Sequence, residues 1–330
     1  MLLLLLGVLF GLALLTVSAD QFVAGAARVS TSLRISPAVI GAVVIGFGTS
    51  APEMVVSGIA ASSGSLDIAV GNIIGSNVAN LSLVLGSASL LVPIAVDQKT
   101  IRRELPLSVG SVLVLAGLVQ GGLTRTEGVV LAVLMVASLA WILKGSRTPA
   151  PIPVGGDGPE GAVAVDVPGG GELAELVEDP TAISTPRESL RTLLGLVGTL
   201  VAAQVLVGSA VGLADLLGLE QGFVGLTIVA IGTSLPELAT SLLGVRRGET
   251  DLIIGNLLGS NLFNSFGVGA VAGLLGPGIV GDAALTTTGV ALMVGVALVA
   301  ALAMLRSGRV VRWHGGVLLV AYLGTLPLLA

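Results

Sequence analysis

The sequence predicts an all-α integral membrane protein: ten transmembrane helices arranged as two inverted five-helix repeats, with helices 2 and 7 broken. Three observations predict it. The 330-residue chain is 54% hydrophobic and only 11% charged, whereas a soluble domain carries roughly 25% charged residues. Its basic residues fall almost entirely on one side of the apolar spans. A 33-residue segment recurs 184 residues further on without a gap.

A span needs about 20 mostly apolar residues. Ten segments meet this, near 2–24, 37–61, 66–92, 104–122, 126–144, 190–214, 222–245, 251–275, 283–305 and 311–329. The first, "MLLLLLGVLFGLALLTVSAD", shares an apolar core with secretory signal peptides but lacks their basic leader, because the first basic residue is Arg28. It reads as a first transmembrane helix whose N-terminus faces outside. The inside loops then hold Arg28, Arg34, Lys99, Arg102, Arg103, Lys144, Arg147, Arg187, Arg191, Arg246, Arg247, Arg306, Arg309 and Arg312, which is 14 of the 15 basic residues. Only Arg125 is left outside. Basic residues favour the cytoplasmic side, and a wrong span count would scramble this asymmetry. Both termini are therefore expected outside.

Residues 145–187 break the pattern. They are rich in Pro, Gly and acid and read as a flexible cytoplasmic linker, with a short helix around 172–177. The linker divides the chain into a first five-helix repeat, 1–144, and a second, 188–330. Its acids (Asp157, Glu160, Asp166, Glu172, Glu175, Glu178 and Asp179) read as a solvated spacer, with cation sensing as the sharper alternative.

Several functions are excluded or made remote. No cysteine is present, so there is no disulfide frame, thiolate metal site or cysteine nucleophile. No basic tract offers itself to nucleic acid. An intramembrane hydrolase using Ser50 or Ser234 would need an activating base. The single histidine, His314, is far along the chain and reads as interfacial, and the Gly-x-Ser-x-Gly elbow is absent. The chain is not expected to be an enzyme or to carry a cofactor. Asp20, in the first span, aligns with Gln204 and reads as meeting water at its cytoplasmic end or bonding locally, not as a ligand.

The repeat carries the chemistry. "GTSAPEMVVSGIAASSGSLDIAVGNIIGSNVAN" (Gly48 to Asn80) aligns with "GTSLPELATSLLGVRRGETDLIIGNLLGSNLFN" (Gly232 to Asn264), identical at 14 of 33 positions. Asp67 and Asp251 also align. Such self-similarity marks a duplication. With five spans per copy, the second enters the membrane from the opposite side, a plan of secondary transporters whose site lies at the repeat interface. Pro52 and Pro236 lack an N–H and clash with the carbonyls of Gly48 and Gly232, which breaks both helices. Broken backbone at this depth must line protein or a wet cavity. Glu53 and Glu237 follow the prolines, and a charged side chain at the membrane centre costs roughly 2.5–3.5 kcal/mol or more. Ser76 and Asn80 share a helix face, as do Ser260 and Asn264, and they supply a second polar wall. Asn72, Asn77, Asn256 and Asn261 read as interhelical hydrogen-bonding groups, and Gly71, Gly75, Gly255 and Gly259 as close-approach positions. Carboxylates, hydroxyls and freed carbonyls are hard oxygen donors, suited to Ca²⁺, Na⁺ or Mg²⁺.

These paired segments resemble the alpha-repeats of sodium/calcium exchangers, in the calcium/cation antiporter superfamily, of prokaryotic type. The two repeat cores cover about two fifths of the chain. The resemblance implies an electrogenic antiporter that exchanges Na⁺ for Ca²⁺ by alternating access in the cytoplasmic membrane. Its partners are those ions and the bilayer, with no obligatory protein partner. Glu53 and Glu237 would be central ligands, joined by the carbonyls of Thr49 and Thr233. The hydroxyls of Ser50, Ser234, Ser76 and Ser260 would serve flanking Na⁺ sites, closed by the carbonyls of Gly46 and Ala230, with Asn80 and Asn264 completing the metal site. Helices 1 and 6 would slide across the core. Some relatives carry aspartate at the Asn264 position; asparagine weakens a potassium-coupled reading. A proton/calcium or other divalent-cation antiporter using the same glutamates is the alternative, and a channel is a further one.

Overall fold

The computed structural model describes residues 1–32, 50–145, 184–247 and 250–329. The first half of the expected second span (37–49, with Gly46, Gly48 and Thr49), Arg34, Arg147 and nearly all of the linker, including 172–177, lie outside the described residues.

The described chain is helical almost throughout. Its helices are α1 (Leu2–Ser32), α2 (Ala51–Ser62), α3 (Leu66–Leu91), α4 (Gln98–Leu118), α5 (Arg125–Gly145), α6 (Thr185–Leu217), α7 (Gln221–Thr233), α8 (Leu235–Arg247), α9 (250–275), α10 (Leu285–Ser307) and α11 (Arg312–Leu329). Seven are long and apolar enough to cross a membrane. Local chemistry sets several ends. Asp97 caps α4 by accepting the Thr100 N–H at 2.6 Å. Thr124 and Glu127 form a reciprocal capping box at the start of α5, at 2.6 and 3.3 Å. Gly218 (φ 65°) ends α6 and Gly308 (φ 59°) ends α10 in the left-handed conformation.

Burial sorts the helices. The apolar window of α3 is 94% buried and that of α9 83%, against 24% for α1 and 22% for α5. The helices that carry the second motif are therefore the centre of the bundle. The others turn Leu2, Leu3, Leu9, Val133 and Leu302 outward, as lipid-facing walls do. Both central helices contain a π turn, at Asn80–Val84 and at Phe263–Val268, which coincide under the 184-residue shift. Such turns recur at functional sites.

α1 packs chiefly on α6. Gly7 meets Ser209, Gly11 meets Leu206, Gly198 meets Ser18 and Gly25 meets Thr192, so the two helices run antiparallel. A Cβ on Gly11 would lie 3.0 Å from the Leu206 backbone, and small residues there let the backbones approach. Shifting Gly7–Ser209 by 184 residues gives residues 191 and 25, within one residue of the observed Gly25–Thr192 contact. At the helix ends, β1 (Ile94–Ala95) pairs antiparallel with β2 (Arg309–Val310), and Leu123 exchanges backbone hydrogen bonds with Gly278 at 2.9 Å. The shift interchanges these two contacts to within three residues. Exchange of contacts between equivalent positions is the mark of a two-fold relation.

The structure extends three expected spans, the first of which, α1, runs on past residue 24 to Ser32. α6 begins at Thr185, with Pro186 in its first turn, and takes in Arg187 and Glu188. Glu188 supports that extension by pairing with Arg28 at 3.4 Å and Arg191 at 3.5 Å. α4 begins six residues before its expected span and runs through Pro106. Asp20 accepts from Gln21 at 2.9 Å.

Candidate ion site at the two helix breaks

The two motif serines have the same backbone. Ser50 precedes α2 at φ −93°, ψ 4°, and Ser234 separates α7 from α8 at φ −86°, ψ 4°. This is the sparsely populated bridge region. The proline falls in the first turn of each new helix, where its missing N–H is tolerated. Helical bonding resumes at once, Met54 N–H to Ser50 O at 3.0 Å and Leu238 N–H to Ser234 O at 3.1 Å.

Glu53 and Glu237 therefore stand in the first turns of α2 and α8, where the positive end of the helix dipole favours a carboxylate. Both are 0% exposed, and they are close enough to interact electrostatically. The Thr233 side chain faces Glu53 and the Ser260 side chain faces Glu237. Even so, none of the four carboxylate oxygens has a hydrogen bond of standard geometry. The Ser50 and Ser234 hydroxyls, the Asn80 amide oxygen and both amide atoms of Asn264 are also buried without a partner. Buried polar atoms are satisfied in more than nine cases in ten. A cluster of orphaned oxygens from both halves of the chain is thus unusual, and it is what a dehydrated cation requires. Among the described residues no group of three or more His, Cys, Asp or Glu forms a metal cluster. The donors are two carboxylates plus neutral oxygens.

A bonded network frames these orphans. Asn72 Nδ2 donates to Ser57 Oγ at 2.9 Å, and Thr233 Oγ1 donates to Asn72 Oδ1 at 3.2 Å. Ser76 Oγ lies 3.5 Å from Thr233 Oγ1. Asn80 Nδ2 donates to Asn261 Oδ1 at 3.2 Å, and Asn261 Nδ2 to Asn77 O at 3.3 Å. Asn77 Nδ2 donates to Ser265 Oγ at 3.1 Å. Asn72, Asn77 and Asn261 thus bond between helices, as expected. Asn256 Nδ2 has no partner. Gly71 lets α3 close on α7, a Cβ there lying 2.9 Å from the Leu226 nitrogen. The Ala230 carbonyl accepts the Ser234 N–H at 3.1 Å and the Thr233 hydroxyl at 3.3 Å.

Of the predicted site residues, Glu53, Glu237, Ser50, Ser234, Thr233, Ser76, Ser260, Asn80, Asn264 and Ala230 are all buried, on α2, α3, α7, α8 and α9 around the two breaks. Gly46 and Thr49 lie outside the described residues. Ser57 and Ser241 were missed. Both are buried at 0% and 1%, four residues after the glutamates, hence on the same helix face. Their identity under the 184-residue shift was the available signal.

An all-α membrane bundle that gathers two buried carboxylates and other unpartnered oxygens from duplicated segments has the layout of an ion transporter. Comparison with known proteins places it more narrowly. The profile of the family described as "Sodium/calcium exchanger protein" matches residues 3–144 and 190–329, and the chain belongs to that family. It is 40% identical over 328 residues to the protein CaxA of Alkalimonas amylolytica, covering 96% of this chain and 95% of that one. The sodium/calcium exchanger MaX1 of Methanosarcina acetivorans is 27% identical over 354 residues, 97% of each chain. A solved structure of the sodium-calcium exchanger NCX_Mj, soaked with Na⁺ and Sr²⁺, superposes with a TM-score of 0.65 at 28% identity, covering 100% of this chain and 99% of that one.

Proposed function

We propose that this protein exchanges Na⁺ for Ca²⁺ across the membrane by alternating access, moving net charge in each cycle. The observation that carries this reading is the pair of fully buried, unpartnered carboxylates, Glu53 and Glu237, at equivalent breaks in the two halves. In this reading the halves, 1–144 and 188–330, are inverted repeats of a ten-span bundle. The antiparallel α1–α6 contact and the interchanging backbone bridges support that plan.

The two glutamates act as central ligands for Ca²⁺ and Na⁺ alike. The carbonyls of Thr49 and Thr233 complete the Ca²⁺ site. The hydroxyls of Ser50, Ser234, Ser76 and Ser260, with the amide oxygens of Asn80 and Asn264, serve flanking Na⁺ ions. The carbonyls of Gly46 and Ala230 close the edges, Ala230 giving up one of its two present bonds. Two carboxylates carry a charge of −2, which balances one Ca²⁺ or two Na⁺. A third Na⁺ leaves the site positive by one, so three-for-one exchange moves one charge, worth about 2.3 kcal/mol per 100 mV. Asparagine at both 80 and 264 leaves no third carboxylate beside the pair, which weakens potassium coupling in favour of Na⁺ alone. The names of MaX1 and NCX_Mj lend the same support.

α1 packs mainly on α6, through small residues, and the pair slides over the core to switch access. The basic residues put both termini outside and residues 145–187 in the cytoplasm of a cell whose cytoplasmic membrane holds the protein. The test is ⁴⁵Ca²⁺ uptake into proteoliposomes. Uptake driven by an outward Na⁺ gradient supports the proposal; uptake driven only by a pH gradient moves the chain to proton coupling, and uncoupled flux would make it a channel.

A further inference from the structure

The corner between α10 and α11 has a chemistry that ion exchange does not use. Arg306 lies in the last turn of α10. The chain turns at Gly308, β2 presents Arg309, and α11 opens with Arg312, Trp313 and His314. Arg306, Arg309, Trp313 and His314 line an open groove of about 390 Å³, with Leu302 and Val317 on its apolar wall. Leu302 and Val317 are each 48% exposed and Trp313 67%, so these surfaces face outward.

The arginines are available. Neither Arg306 nor Arg309 takes part in an ion pair among the described residues. No acid lines the groove. Arg312 is held by the Leu91 carbonyl at 3.3 Å. His314 Nδ1 accepts the Val311 N–H at 3.2 Å, which puts the proton of the neutral ring on Nε2 and leaves a second donor.

We propose that this groove binds one anionic phospholipid. The guanidiniums of Arg306 and Arg309 take the phosphate, for which their planar fork is suited. Trp313 sits at headgroup depth, where tryptophan is favoured, and an acyl chain runs along Leu302 and Val317. The 23 residues of α10 span about 34 Å, which brings its last turn to the edge of a hydrocarbon core about 30 Å thick. A general excess of basic residues on one side explains arginines near this turn. It does not explain a groove that joins two unpaired arginines to an apolar wall. The duplication does not explain it either: the 184-residue shift puts Gly122, Arg125 and Val129 at the positions of Arg306, Arg309 and Trp313, and Glu127 caps that corner. The orientation proposed above would place the groove in the cytoplasmic leaflet, where anionic lipids collect, but the site itself does not depend on it.

The test is native mass spectrometry of the delipidated full-length protein, titrated with phosphatidylglycerol or phosphatidylcholine of matched chains. The wild type is expected to bind one phosphatidylglycerol in preference to phosphatidylcholine by on the order of tenfold. Arg306→Gln with Arg309→Gln brings the preference near unity, and Trp313→Ala weakens both lipids alike. Arg102→Gln with Arg103→Gln leaves the preference intact. No preference in the wild type, or equal loss in both double variants, overturns the proposal. So does displacement of the lipid by millimolar inorganic phosphate, which would make the groove a free-anion site. The wild-type arms decide these points even if a variant fails to fold, and none of them depends on which ions are transported.

Discussion

Ser57 and Ser241 are equivalent in the duplication, yet the structure gives them opposite roles. Ser57 Oγ accepts the Asn72 amide at 2.9 Å, with both residues 0% exposed. Ser57→Ala strands that amide in a place water does not reach. An unsatisfied buried donor costs about 1–3 kcal/mol, and interhelical hydrogen bonds in membranes average nearer about 0.6 kcal/mol with a maximum of about 1.7. A loss of about 1–2 kcal/mol follows, a five- to thirtyfold shift toward the unfolded state. Ser241 Oγ is buried without a partner, so Ser241→Ala removes an unsatisfied group and costs the ion-free protein nothing measurable. Its cost should appear instead in ion binding, because the hydroxyl stands one helical turn beyond Glu237. Denaturant unfolding in detergent, with and without Ca²⁺, separates the two. Ser57→Ala should lower stability in both conditions; Ser241→Ala should lower only the Ca²⁺-dependent gain. The reasoning fails if Ser241→Ala weakens the ion-free protein as much as Ser57→Ala does.

Other outcomes follow from the same geometry. Glu53→Gln and Glu237→Gln each remove a carboxylate that lacks a hydrogen-bond partner, so each variant should be at least as stable as wild type without ions and lose the stabilisation that Ca²⁺ confers; thermal unfolding with and without Ca²⁺ checks this. Imposing 100 mV across proteoliposomes should bias Na⁺-driven Ca²⁺ flux by roughly fiftyfold at the limit of one charge per cycle; a voltage-insensitive flux contradicts the charge count. Gly75→Ala places a Cβ against the Leu226 carbonyl and the Ala230 side chain, so α3 and α7 must separate. Lower yield of folded protein on size-exclusion chromatography is expected, and wild-type behaviour would show that the contact gives way freely.

Much of the site is legible in the sequence because the membrane makes polar residues expensive. Two glutamates after prolines in apolar runs announce themselves, and the gapless repeat says they belong together. The helix starts after Ser50 and Ser234 follow from the prolines in their first turns. Other features depend on partners far along the chain. The π turns at Asn80–Val84 and Phe263–Val268 have no signal in the local sequence. Ser57 carries no signal in a single helix, since a serine among apolar residues commonly bonds its own turn; only its bond to Asn72 gives it a role. Arg191 reads as an inside-loop charge and Glu188 carries no signal of its own; its partner Arg28 stands on a helix some 160 residues away, and α6 takes in both Glu188 and Arg191. Asp67 shows in the sequence only as the counterpart of Asp251, but its carboxylate accepts the N–H groups of Gly281 and Asp282 at 2.8 and 3.1 Å and so ties α3 to the entry of α10.

The central claim is that Glu53 and Glu237, from opposite halves of the chain, form one cation site and not two. Equilibrium binding of ⁴⁵Ca²⁺ to the purified protein, for wild type and for each Glu→Gln variant, tests it most directly. The account predicts one Na⁺-displaceable Ca²⁺ per chain in the wild type and none at the same concentration in either variant. Two Ca²⁺ per chain, with one retained in each variant, would contradict it and make the glutamates the centres of separate sites.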